Sequence, residues 1–89
     1  MSVTVYLPGL LRGFAGGHDV VSLPGAPATL SQALDALFAL HPGLRDRVLT
    51  ETGAVRRHVS LFVGGDRAVL ETPVPEGAEV AILPAVSGG

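Results

Sequence analysis

The residues best suited to chemistry in this chain are its last two, Gly88-Gly89, which follow the apolar run Val80-Ala81-Ile82-Leu83-Pro84-Ala85-Val86. Glycine has no Cβ, so a carboxylate carried on two glycines can take any backbone angle and pass between walls that stop other residues. The α-carboxyl group, with an ordinary pKa of about 3.5, is ionised at neutral pH and is a poor electrophile. It reacts only if given a leaving group, and adenylation by ATP held on another protein would supply one. Sulfide or a persulfide attacking the acyl adenylate leads to a C-terminal thiocarboxylate, whereas an amine leads to an amide. The tail permits both. With Gly 12 of 89 residues, incidental terminal glycines are the competing explanation.

Other reactive constellations are missing. There is no cysteine, which excludes disulfides, thiolate metal sites and a thiol nucleophile. Nor is there any lysine, so an activated C-terminus meets no side-chain amine of its own chain. His18, His41 and His58 are scattered and form no metal-ligand pair. No glycine-rich loop ends in Lys-Ser or Lys-Thr, so there is no Walker-type phosphate cradle, and Gly13-Phe14-Ala15-Gly16-Gly17 precedes a strand pattern rather than a helix, the wrong context for a dinucleotide fingerprint. Glu71, Glu76 and Glu79 could supply a general acid, but no motif in the sequence sets a catalytic group beside them, and they read as an acidic face. The expectation is a protein that is not itself an enzyme and binds no metal or cofactor, any ATP or sulfur donor being used through a partner enzyme.

Eighty-nine residues, 47% hydrophobic and 16% charged, suit one folded domain rather than a disordered chain. Net charge is −2, and the six basic residues are arginines 12, 45, 47, 56, 57 and 67, which form no stripe for nucleic acid. Only Arg56-Arg57-His58 clusters, as a solvated loop would. The longest apolar run falls far short of the ~20 residues a membrane helix needs. Met1-Ser2-Val3-Thr4-Val5 begins like a strand rather than a signal peptide. No membrane association is expected, and the expected location is the cytoplasm.

The elements that must hold the tail are legible from periodicity. Val3-Thr4-Val5-Tyr6-Leu7 alternates as a half-buried strand, and Asp19–Leu23 reads as a second, joined to it through a loose glycine-rich turn at Gly13–Gly17. Thr29-Leu30-Ser31-Gln32 matches a capping box, followed at helical spacing by Ala33, Leu34, Leu37 and Phe38, with His41-Pro42-Gly43 as the stop. A helical turn over Leu44–Leu49 follows. His58–Val63 reads as a third strand, Ala68–Leu70 as a short edge strand, and Val80–Leu83 as an apolar, central last strand. One helix against a mixed sheet of four to five strands predicts an α+β, β-grasp (ubiquitin-like) domain with first and last strands parallel at the centre. The domain should occupy residues 1–84 and a flexible tail residues 85–89. Counted from Pro84, six tail residues reach at most about 20 Å.

The segment Pro75–Gly89, together with the opening strand, capped helix and Val59–Gly65 strand and turn, resembles the MoaD/ThiS family of small β-grasp sulfur carriers. The resemblance implies that Gly89 is adenylated by an E1-like enzyme and converted to a thiocarboxylate, with Gly88, Ser87 and Val86 threading the tail. It implies that the sheet face away from the helix docks the partner. Phe62, opposite in direction to Leu61 and Val63, belongs there, although a core aromatic is the alternative. Leu10 and Leu11 lie in a loop that often borders this surface in the family, and Pro84 leads into the tail. Gly64 and Ala78 stand where the family often has asparagine and aspartate, which bears on turn geometry and not on the tail. Val3–Pro8 with Leu11-Arg12 looks more like the cysteine-synthesis carriers of actinobacterial type than like thiamine carriers. The implied sulfur acceptor is a pyridoxal-phosphate cysteine synthase or the large subunit of molybdopterin synthase. A ubiquitin-like modifier joined to target lysines, and a plain β-grasp interaction module, are the rival readings.

Overall fold

Alternation builds the sheet. In the computed structural model, which describes residues 3–84, Val3–Tyr6 (β1) buries Val3 and Val5 and turns Tyr6 outward. A 3₁₀ helix, Gly9–Ala15, leads to Val20–Leu23 (β2), which buries Val21 and Leu23. Leu30–Leu40 (α1), a 3₁₀ turn at Pro42–Leu44 and the short Arg45–Val48 (α2) follow. Val59–Val63 (β3), Asp66–Ala68 (β4) and Glu79–Pro84 (β5) complete the chain. The strand order is β2-β1-β5-β3-β4, with β1 and β5 parallel and the other pairs antiparallel. Position explains the apolar character of β5: it has a strand on either side, and Val80 and Ile82 are fully buried.

Helix α1 starts where Thr29, in extended conformation, accepts through Oγ1 from the Gln32 backbone N–H at 3.3 Å. Gln32 reaches back, but to Ala28 rather than Thr29, its Oε1 accepting from the Ala28 N–H at 2.8 Å. The Leu30 and Ser31 N–H groups donate to the Thr72 and Leu70 carbonyls, both at 2.9 Å, so the 70–72 segment satisfies the first turn of the helix. The helix buries Leu30, Ala33, Leu34, Leu37 and Phe38 in a core shared with Val5, Leu23, Leu61, Val80 and Ile82. Leu7, Leu44 and Val48, all at 0% exposure, extend that core into the connections.

Three sequence expectations are corrected. The Gly13–Gly17 stretch is not a loose turn throughout: residues 9–15 form the 3₁₀ helix, which ends on Gly16 at φ 67°. The edge strand is Asp66–Ala68 rather than Ala68–Leu70, because Leu70 and Thr72 carbonyls serve α1 instead of the sheet ladder. Its early start follows from Gly64 and Gly65, at φ 60° and 88°, which make a two-residue turn that pairs Val63 with Asp66. Finally, β5 includes Pro84, paired with Val59, so five residues rather than six follow the sheet.

Candidate docking groove and tail

Every strand sends alternate side chains to the face away from α1. The register places Val20, Tyr6, Ala81, Phe62 and Arg67 in one row across β2-β1-β5-β3-β4. Between Tyr6 and Phe62 the small side chain of Ala81 leaves a depression. It is an open groove of about 460 Å³ lined by Tyr6, Phe62, Glu79, Ala81 and Leu83, with the backbone of Gly64, Gly65 and Val80. Phe62 is half-buried while Leu61 and Val63 are buried, so it does stand opposite to them, on the groove. Tyr6 and Leu83 are 39% and 38% exposed, large for apolar bodies on a sheet.

Among the described residues, Glu79 is the one charged residue lining the groove. The Tyr6 hydroxyl donates to its Oε2 at 2.7 Å, a bond that the parallel pairing of Thr4 with Glu79 and Tyr6 with Ala81 brings within reach. That bond, with the negative charge of Glu79, holds the phenol above the ordinary tyrosine range. At neutral pH the phenol is therefore protonated and donates to Glu79.

Leu11 does not join this surface. At 5% exposure it packs in the core, because the 3₁₀ helix turns Leu11 and Ala15 inward and leaves Arg12 and Phe14 outside. The side chains of Leu10 and Pro84 lie outside the described set, as do Val86, Ser87, Gly88 and Gly89 altogether. Sequence reasoning overlooked Tyr6, and it assigned Glu79 only to an acidic face. The parity of Tyr6 within β1 was visible, whereas its approach to Glu79 depends on the register of strands more than 70 residues apart.

The remaining polar chemistry is dispersed. Arg47 lies over the Phe14 ring, 4.6 Å from its centroid, and Arg56 donates through Nε to the Asp46 carbonyl at 2.6 Å. Among the described residues no group of three or more His, Asp or Glu side chains could hold a metal ion, and no helix is long and apolar enough to cross a membrane.

A helix laid on a mixed sheet whose first and last strands are parallel neighbours defines a β-grasp, ubiquitin-like domain. The ThiS family model matches residues 5–89, and the chain belongs to this family, the ThiS/MoaD group of small sulfur carriers and their relatives. It is 40% identical over 79 residues to small archaeal modifier protein 1 of Haloferax volcanii, covering 89% of this chain and 91% of that one. It is 35% identical over 95 residues to the sulfur carrier protein CysO of Mycobacterium tuberculosis, with all of both chains covered. A molybdopterin synthase sulfur carrier subunit of Aspergillus niger is 37% identical over 73 residues, or 82% of this chain and 78% of that one. Among solved structures, the crystal structure of the Haloferax volcanii modifier superposes with a TM-score of 0.89 at 34% identity over the full length of both chains. The Amycolatopsis orientalis BexX/CysO complex gives 0.86 at 33% identity, covering 98% of this chain and 99% of that one.

Proposed function

We propose that this protein is a sulfur carrier, acting as substrate or small subunit of partner enzymes rather than as a catalyst. The observation that carries the reading is the β-grasp domain whose central strand β5 continues in sequence into Ala85-Val86-Ser87-Gly88-Gly89, within a family match that extends to residue 89. An E1-like enzyme joins the Gly89 carboxylate to the α-phosphorus of ATP, and pyrophosphate leaves. Sulfide then attacks the acyl carbon and AMP departs, leaving the thiocarboxylate. A persulfide does the same if a thiol afterwards reduces the S–S bond. Gly88, Ser87 and Val86 thread the enzyme's channel, since a residue without Cβ next to the reacting carbon keeps the approach open. The Tyr6–Phe62–Leu83 groove docks on the adenylating enzyme, burying apolar surface that the free domain leaves exposed. The sulfur acceptor is a synthase of the cysteine or the molybdopterin branch.

A second reading has specific support: a relative at 40% identity is named as a modifier protein. The same activation followed by attack of a lysine amine on the adenylate would give an amide to a target protein. Both readings predict carrier-dependent ATP–pyrophosphate exchange by an adenylating enzyme encoded in the same genome. Deletion of Gly89 should abolish exchange and leave the fold intact by circular dichroism. Undiminished exchange with the deleted chain would refute a reacting Gly89 carboxylate.

A further inference from the structure

The groove poses a problem of direction, since apolar contact favours association without fixing which way the partner lies along the sheet. Glu79 and Leu83 mark its two ends along β5, about 13 Å apart for four residues of strand, and the tail follows from the Leu83 end. The carboxylate sits at the end remote from Leu83 and is the one charged side chain among the described residues that line the groove. It is also held in place, because the Tyr6 hydroxyl engages Oε2 and leaves Oε1 without a partner among the described residues. Tyr6 is itself a groove wall, so a single residue supplies apolar surface and fixes the charge. An apolar partner surface closing over this groove would strand the carboxylate in a dry interface unless it brought a cation.

Resting on the docking reading above, we infer that Glu79, positioned by Tyr6, is the orientation key of this interface: it pairs with an arginine or lysine of the adenylating enzyme and so directs the tail toward the ATP site. Glu79 accepts the partner's N–H through Oε1, and Tyr6 holds the acceptor still.

Binding of the full-length chain to the adenylating enzyme, measured by calorimetry at low and high salt, tests this. Glu79→Gln retains an acceptor for Tyr6 and removes the charge, and should weaken binding about tenfold and flatten its salt dependence. Tyr6→Phe should weaken binding less while preserving the salt dependence. Phe62→Ser serves as the groove control and should weaken binding whatever the role of Glu79. If Glu79→Gln binds like the parent at both salt concentrations while Phe62→Ser is impaired, the orientation key is refuted and the docking groove stands. If neither change matters, the groove is not the docking surface and the inference falls with it. Because Glu79 and Tyr6 are exposed, far-UV circular dichroism of their variants should match the parent.

Discussion

At the scale of single residues, two positions make the structure testable without any partner. Tyr6 is the only tyrosine and there is no tryptophan, so tyrosinate absorbance reports on this one phenol. Its hydrogen bond to Glu79 raises the folded-state pKa above the unfolded value of about 10. Whatever stability the bond adds is therefore fully present below that pH and is lost as the pH rises through the folded-state value. The expected titration midpoint lies above 10 in the folded protein, and Glu79→Gln should bring it down; a midpoint indifferent to Glu79 would mean that the contact does not persist in solution. Gly64 is the second position. Its φ of 60° belongs to the left-handed region, and a Cβ there would meet nothing within 4 Å, so a substitution pays only in backbone strain. Gly64→Val should cost about 1–2 kcal/mol in urea denaturation, and Gly64→Asn only a few tenths, since asparagine tolerates αL. This accounts for asparagine being acceptable at such a turn: it preserves the geometry that pairs Val63 with Asp66.

At the scale of elements, α1 should be the most sensitive part of the fold. Leu37 is fully buried beneath it, and Leu37→Ala should lower stability by about 2–5 kcal/mol, a large share of what so small a domain possesses. Thr29→Ala removes the N-cap acceptor and should cost about 1 kcal/mol by the same measurement. The helix was legible in the sequence because its signals are local: a cap, a periodic stripe and a proline within fifteen residues. The same holds for the strands, whose alternation over Val3–Tyr6 and Val59–Val63 sorts core from surface by parity alone. What sequence reading misplaced was decided elsewhere in the chain. Val69 to Thr72 has strand-like residues, yet its Leu70 and Thr72 carbonyls are taken by the N-terminus of a helix some forty residues earlier. Leu11 looked like a loop residue because Gly9, Gly13, Gly16 and Gly17 surround it, and only the 3₁₀ turn reveals that it points into the core. The Tyr6–Glu79 pair was hidden for the same reason, being a product of inter-strand register.

At the scale of the molecule, the parts form a division of labour. The core holds β5 between β1 and β3, the face opposite α1 offers an apolar groove with one charged side chain among the described residues, and the sequence beyond β5 carries Gly88-Gly89, the glycines to which the proposed function assigns the chemistry. The tail was the plainest feature of the sequence and the groove the least plain, because glycines can be counted whereas a groove needs three strands in register. Five residues beyond Pro84 reach at most about 17 Å, enough to enter an active site only if the domain is seated against the enzyme. Removing Ser87 should therefore hinder activation even though Gly88-Gly89 keep the terminal carboxylate, read as slower ATP–pyrophosphate exchange with little change in binding. The decisive measurement is intact-mass spectrometry of the full chain after incubation with the adenylating enzyme, ATP and sulfide. Replacement of one oxygen by one sulfur at Gly89 is the predicted result. An unchanged mass, with the enzyme shown to be active on another carrier, would contradict sulfur carriage, and a lysine-linked adduct forming in its place would establish the modifier reading instead.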